Sequence, residues 1–330
     1  MQALLIFLFL LVGCAQEKPP VISTFSGEAM TMQYRIQVGH PLSATQGDEI
    51  QQVIEETFAE VHNLFNRFNP ESEISRFNKG SDSIALSPLQ LRLLTLTDEV
   101  NHATEGRFDP TIFPLYLVWT DALRDGRLPE DASLQSALDT VGWDKITLKD
   151  NLLSKSHPKT ALDLGGISKG FAIDLIVERL TEKGYQNLFV EWGGEIRAQG
   201  MHPAGRDWKI YIPELDHPET PAAYLLLRNQ AIATSGDMYQ NWRAIDGKKY
   251  CHIIDTETLK PLEIGPQKIG SVSVIAPTCA LADGLATALM TCKNALQAKE
   301  LAERFKARYP EIDTWITVRP ADLPKSLPEP

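Results

Sequence analysis

Residues 163–171 read Asp163-Leu164-Gly165-Gly166-Ile167-Ser168-Lys169-Gly170-Phe171, and at this stretch the chain changes character. Beyond the paired glycines, Ile167, Phe171, Leu175 and Leu180 recur on one side of a helix that runs from Ile167 to Lys183. The free backbone N–H groups and close backbone access of such a helix start suit a phosphate group, and Lys169 lies one turn in. The spacing is not that of a P-loop, and a glycine turn feeding a helix with Asp163 as a nearby cap accounts for the same residues. From this stretch alone both readings stand.

Upstream the pattern is mostly helical. Residues 48–68 place Ile50, Val53, Ile54, Val61, Leu64 and Phe65 at a helical period, and a second helix follows Pro88 through Leu91, Leu94 and Val100, ending before Gly106. Shorter helices are expected after Pro110 and after Pro129, and residues 146–153 read as a small hairpin turning at Lys149-Asp150-Asn151. Downstream come short strands at 188–191, 196–198, 208–212, 223–227, 231–234 and 271–276, and helices at 280–290 and 295–308 close the chain. Helices and strands do not alternate strictly, so a doubly wound sheet is not expected. The fold class is α+β, mixed helices with an antiparallel or mixed sheet, and no fixed-period repeat is visible.

Two further stretches carry polar groups able to do chemistry. In 280–289, Ala-Leu-Ala-Asp-Gly-Leu-Ala-Thr-Ala-Leu, Asp283 and Thr287 are four residues apart and share one helix face. Two oxygen donors side by side suit a hard cation such as Mg²⁺, which keeps waters or phosphates for the rest of its shell. An Asp interacting with the helix dipole and a Thr bonding back along the helix explain the pair equally simply. The clusters Ala233-Thr234-Ser235-Gly236-Asp237 and Tyr250-Cys251-His252-Ile253-Ile254-Asp255 each end an apolar, strand-like run. His252 there is either a general base or a satisfied core histidine.

Composition sets the outer bounds. The chain has 330 residues, 43% hydrophobic and 23% charged, enough to bury a sizeable core. With 43 acidic against 32 basic residues its net charge is -11, which argues against nucleic acid as a partner. Residues 3–12 form an apolar run too short to span a bilayer, and no Lys or Arg precedes it. The run ends in Leu11-Val12-Gly13-Cys14, which resembles a bacterial lipobox. Residues 1–13 are therefore expected to be a lipoprotein signal peptide, Cys14 the lipidated (palmitate-bearing) residue, 14–20 a tether and 21–330 the folded domain. That organisation predicts a membrane-anchored lipoprotein of the cell envelope, facing the periplasm or the exterior. Ala15 stands where an Asp often marks inner-membrane retention, which favours the outer membrane. Cys251, Cys279 and Cys292 match no zinc spacing and read as small core residues.

These segments occur in an order that resembles the ApbE family of FAD:protein FMN transferases over nearly the whole mature chain. Ser72-Glu73-Ile74-Ser75-Arg76-Phe77-Asn78 and Gly106-Arg107-Phe108-Asp109-Pro110-Thr111 resemble two family segments, followed in order by the 163–170 turn and Gly193-Gly194-Glu195-Ile196. Thr234 to Asp237, His252 to Asp255 and Ala282-Asp283 to Thr287 complete the series. The resemblance implies an ApbE-like, T-fold-like architecture, with Mg²⁺ held by Asp283, Thr287 and a backbone carbonyl at Gly166. It implies FAD contacts from Met30, Phe68, Arg107, Phe108, Asp109, Asp163 and Lys169, and from the backbone of Ile254. Two departures stand out: Thr31-Met32 replaces Gly-Thr after Met30, and Thr256-Glu257-Thr258-Leu259 replaces Pro-x-Thr-Gly after Asp255.

The implied reaction is attack by a Thr or Ser hydroxyl of an acceptor flavoprotein on the FMN phosphorus of FAD, with AMP leaving. His252 is the candidate for accepting the hydroxyl proton, with Asp255 as the alternative. Two rivals use the same features: an FAD pyrophosphatase releasing free FMN and AMP, and a flavin-binding lipoprotein without chemistry.

Overall fold

The structure, a computed structural model, describes residues 21–80, 82–238, 241–245 and 247–321. The signal segment 1–13, Cys14 and the tether to residue 20 lie outside the described residues. The chain opens with strands β1 (Ser23–Ala29) and β2 (Met32–Val38), then helices α1 (Ala44–Phe65) and α2 (Glu73–Lys79). Next come β3 (Ser83–Ala85), α3 (Pro88–Ala103), α4 (Phe113–Arg124), α5 (Asp131–Leu138), β4 (Ile146–Lys149) and β5 (Leu152–Lys155). Helix α6 (Gly165–Glu182) leads into β6 (Leu188–Trp192), β7 (Glu195–Gln199), β8 (Trp208–Pro213), β9 (Pro221–Leu227) and β10 (Gln230–Gly236). Strands β11 (Asn241–Ile245), β12 (Lys248–Asp255), β13 (Lys260–Ile264) and β14 (Ile269–Ala276) precede α7 (Cys279–Met290), α8 (Ala295–Arg308) and β15 (Asp313–Val318).

A seven-stranded sheet in the order β1-β2-β6-β7-β10-β14-β15 runs through the molecule, and every pairing in it is antiparallel. Its side chains alternate between two cores. Leu188, Val190 and Trp192 of β6 join the large core with the helices, whereas Phe189 between them packs with Trp208, Ile210 and Leu227 of the β8–β9 hairpin. A third cluster, around Leu115, Trp119, Leu123 and Ile254, fixes α4 and α5 to the β11-β12-β13 sheet.

Local signals explain the helix starts. Ser43 and Gln46 form a capping box at α1, and Ser87 with Gln90 forms another at α3, where Pro88 occupies the first turn. The expected helices and the 146–153 hairpin are present. Several elements escape the helical and strand patterns: the β1–β2 hairpin, α2, the short strands β3, β11 and β13, and β15, which lies after the helix expected to close the chain. The turn between β1 and β2 consists of Met30 and Thr31, with φ of 48° and 66°. Such a two-residue turn favours glycine, asparagine or aspartate, so this sequence carried no turn signal there.

Helices α6 and α7 meet at unusually short range. A Cβ on Gly170 would lie 2.3 Å from the Cys279 carbonyl oxygen and 2.6 Å from the Ala280 nitrogen. Asp174, fully buried on α6, accepts hydrogen bonds from the Cys279 and Ala280 backbone N–H groups at 2.8 and 2.9 Å, capping α7 from outside its own sequence. Arg197 of β7 pairs with the same carboxylate at 2.6 Å. The two helices that carry the candidate ligands are thus fixed to each other and to the sheet.

Candidate active site

A cavity of about 1100 Å³ opens between the helix pair α6–α7, the β6–β7 turn, β10, β12 and the loops around Arg67 and Arg107. Its floor is charged. Asp283, buried on α7, accepts a hydrogen bond from the Gly170 N–H at 3.1 Å, and its other oxygen lies 3.4 Å from Lys169 Nζ. Lys169 also pairs with Glu195 at 3.1 Å. Burial works against the Lys169 ammonium, but Asp283 and Glu195 outweigh it and raise its pKa. Burial also pushes Glu195 up to about 7 against the pull of Lys169, and the negative charge of Asp283 adds to the rise.

One turn on, Thr287 Oγ1 is 3.2 Å from Ser235 Oγ of β10. A Cβ on Gly166 would sit 2.9 Å from Thr287 Oγ1, so glycine is what allows the α6 backbone to approach this hydroxyl. Gly166, Asp283 and Thr287 therefore come together on one wall of the cavity, although they are distant in sequence. Among the described residues no three His, Cys, Asp or Glu side chains gather to hold a metal. The donors available are one carboxylate, one hydroxyl and the backbone of the Gly166 turn. That is an all-oxygen set with few protein ligands, which fits Mg²⁺, an ion that keeps several waters or phosphate oxygens.

A second wall is built around Arg67. Its guanidinium pairs with Asp163 and lies over the rings of Phe68 at 4.4 Å, Tyr116 at 4.6 Å and Phe113 at 5.3 Å. Burial opposes the Arg67 charge, yet Asp163 more than offsets it and raises its pKa. Asp163 also accepts from the Gly165 N–H at 2.9 Å, so this one carboxylate both caps the glycine turn and anchors the arginine. Asp109 caps the short turn at Pro110–Ile112 through Thr111, 2.8 Å to the N–H and 2.7 Å to the hydroxyl, and burial raises its pKa.

The sequence and the fold agree with one family over this whole assembly. A sequence model of the ApbE family matches residues 30–310. The chain belongs to the ApbE family. An FAD:protein FMN transferase of Chlamydia pneumoniae is 38% identical over 298 residues, covering 89% of this chain and 91% of the relative. One from Vibrio cholerae is 35% identical over 86% of this chain and 84% of its own length. The solved flavin transferase ApbE of Vibrio cholerae superposes with a TM-score of 0.77 at 30% identity, covering 91% of this chain and 94% of that one.

Of the residues singled out in the sequence, Met30, Phe68, Arg107, Phe108, Asp109, Asp163, Gly166, Lys169, His252, Ile254, Asp283 and Thr287 all line the ApbE cavity. Phe68 stands at the rim, 76% exposed, whereas Ile254 and Phe108 are buried in the walls. Arg107 is largely occupied, donating to the Thr291 carbonyl at 3.0 Å and pairing with Glu257 at 2.8 Å. Asp255, the alternative proton acceptor, is not brought to the cavity. Its carboxylate closes the β12–β13 turn, accepting from the Glu257 N–H at 2.9 Å and the Thr258 hydroxyl at 2.7 Å, so His252 is the candidate base that the fold retains. Asp237, the last residue of its polar cluster, is a structural clamp, its two carboxylate oxygens accepting from the one Arg319 guanidinium at 2.6 and 2.8 Å.

Arg67 is a site residue that the sequence did not single out, and Glu195 and Ser235 lie inside motifs that were noted but carried no role of their own; only the packing of β10 and the β6–β7 turn against α6 and α7 brings those two to the floor. Cys251, Cys279 and Cys292 are buried free thiols, as their apolar neighbours suggested.

Proposed function

We propose that this chain is an Mg²⁺-dependent FAD:protein FMN transferase, acting on an exported acceptor protein from a lipid anchor at Cys14 in the cell envelope. The observation that carries the reading is the convergence of Gly166, Asp283 and Thr287 on one wall of the cavity, beside Lys169. The named relatives supply the reaction class. A passive flavin carrier needs no such set of hard-cation donors.

In this reading Asp283, Thr287 and the Gly166 backbone hold Mg²⁺, which supplies charge neutralisation on the pyrophosphate of FAD. Lys169 and the start of α6 face the phosphates, while Arg67, fixed by Asp163, braces Phe68 at the rim. The acceptor's Thr or Ser oxygen attacks the FMN phosphorus in line, and the bond from that phosphorus to the bridging oxygen breaks as AMP departs. His252, half-buried on β12 and lining the cavity, takes the hydroxyl proton. What the residues contribute is orientation and charge balance, which is most of what phosphoryl-type transfer requires.

The test is incubation of a form starting after Cys14 with FAD, Mg²⁺ and a threonine-bearing acceptor domain, read by acceptor mass and AMP release. An acceptor heavier by one FMN, with the gain lost on chelation and on Asp283→Ala, is the expected result. AMP and free FMN with no acceptor modified would replace the transferase with a pyrophosphatase, and FAD returned intact would leave a binder. Globomycin-sensitive processing and labelling by a palmitate analogue, both lost on Cys14→Ser, test the anchor.

A further inference from the structure

The three charges on the cavity floor are arranged unevenly. Lys169 Nζ lies 3.1 Å from Glu195 Oε1 and 3.4 Å from Asp283 Oδ1, so one ammonium serves two carboxylates. Asp283 is 1% exposed and Glu195 3%, so water does not screen them well. Glu195 Oε2 is buried with no hydrogen-bond partner among the described residues. An orphaned carboxylate oxygen in a dry site is unfavourable, so its persistence needs a reason. The hairpin explains how it is held there. Glu195 follows the Gly193–Gly194 turn, where φ of 64° and 102° suits glycine, and pairs across to Trp192.

The site has a conflict that this spare oxygen resolves. In the structure Lys169 lies beside Asp283, the carboxylate that the proposed function assigns to Mg²⁺. An ammonium and a divalent ion repel each other strongly at such range in a low dielectric, so Lys169 must withdraw when the ion binds. A lysine withdrawn from one buried carboxylate needs another, since an unpaired buried charge is strongly destabilising. Among the described residues its other ion-pair partner is Glu195. We infer that Glu195 is a positioning residue that takes over the Lys169 ammonium when a divalent cation binds Asp283, with Oε2 as the second acceptor for the released N–H. Lysine carries three N–H donors, so one carboxylate can take two of them. The exchange leaves Asp283 a full negative charge for the ion and keeps Lys169 near the phosphates.

This inference rests on Asp283 being a cation ligand, and the experiment separates the two ideas. Mn²⁺ alone is titrated calorimetrically into the form starting after Cys14, into Glu195→Gln, into Lys169→Met and into the double variant, with circular dichroism and thermal melts confirming that each is folded. Glu195→Gln should weaken Mn²⁺ binding at least tenfold while Lys169 is present, because the lysine then has no other counter-ion and competes for Asp283. In the Lys169→Met background the same change should alter the dissociation constant less than twofold. Equal losses in both backgrounds would mean that Glu195 acts only through its long-range charge, and no loss in either would mean that it does not act on the site; both overturn the proposal. Absence of Mn²⁺ binding by the unsubstituted protein would overturn the cation site itself, and this inference with it.

Discussion

Gly170→Ala is the most direct test of how the site is assembled. The added Cβ would lie 2.3 Å from the Cys279 carbonyl oxygen, 2.4 Å from its carbon and 2.6 Å from the Ala280 nitrogen, against an ordinary contact of 3.4 Å or more. All three are backbone atoms at the start of α7, held by Asp174 at 2.8 and 2.9 Å, so no side chain can rotate away. The helices must separate by about 1 Å. Alanine gains about 1 kcal/mol of helix propensity over glycine, but overpacking of this kind costs about 3 kcal/mol, so the clash wins by roughly 2 kcal/mol. The same displacement moves Lys169 and Gly166 on α6 away from Asp283 and Thr287 on α7 and weakens the Gly170 N–H bond to Asp283. A misplacement of about 1 Å in a catalytic constellation lowers rate on the order of a hundredfold. Urea denaturation should show the lower midpoint, and AMP release from FAD with acceptor present should show the slower rate. A Gly170→Ala protein as stable and as fast as the original would mean that the α6–α7 contact neither limits the core nor sets the site.

Other consequences are open to simpler measurements. Burial pushes Cys251 up to about 12 and Cys292 to about 11, and raises Cys279 well above its ordinary value, so a form lacking Cys14 should resist iodoacetamide at pH 8 and take up three labels once denatured. Thr31→Gly should stabilise the protein by about 1 kcal/mol in urea, because a β-branched residue at φ 66° is strained where glycine is not. Glu195 is raised from an ordinary 4.5 to about 7, so between those values the native state binds a proton that the unfolded chain has released. Stability should therefore fall as pH rises through that window, and the fall should be smaller in Glu195→Gln; a flat profile in the unsubstituted protein would refute the assignment. Fluorescence titration of FAD with and without Mg²⁺ should show at least tenfold tighter binding with the ion, and Mg²⁺ affinity should rise by the same factor with FAD present.

Much of this was legible in the sequence where one physical signal dominated. The capped helices, the Asp150-Asn151 hairpin and helix α6 follow from periodicity and turn chemistry, and each is present, although α6 is buried on all sides over residues 170–177 and not on one face alone. The β1–β2 hairpin was not legible because Met30-Thr31 adopts a left-handed turn without the residues that announce one. Strand β15 was hidden because Trp315 and Val318, 43% and 40% exposed at the sheet edge, show little inward-outward contrast. In the site, the Asp283–Thr287 pair was visible because four residues span one helical turn. Arg67 was not, and the roles of Glu195 and Ser235 inside their motifs were not, because they depend on which strand or loop the topology lays beside α6 and α7. Asp255 shows the converse, a carboxylate in a telling motif that serves only to close its own turn.

The charge arrangement explains how a chain of net charge -11 can receive a dinucleotide that is itself an anion. Two basic groups that line the cavity are already neutralised, Arg67 by Asp163 and Lys169 by Glu195 and Asp283. Counted together these five side chains carry one net negative charge, so by themselves they do not attract a pyrophosphate. What the floor offers is the start of α6 and a carboxylate–hydroxyl pair suited to a hard cation. If Asp283 and Thr287 hold a cation as proposed, affinity for the substrate would be gated by the ion, and the buried pairs would serve to hold shape: Arg67 packs on the aromatic rim, and Lys169 lies between two carboxylates. A site built from free lysines would bind phosphate without the ion, but it would bind many other anions as well. Under the proposed function, coupling the substrate to the cation would restrict tight binding to ligands that can complete the metal's shell, a means of selecting pyrophosphate on an otherwise acidic surface.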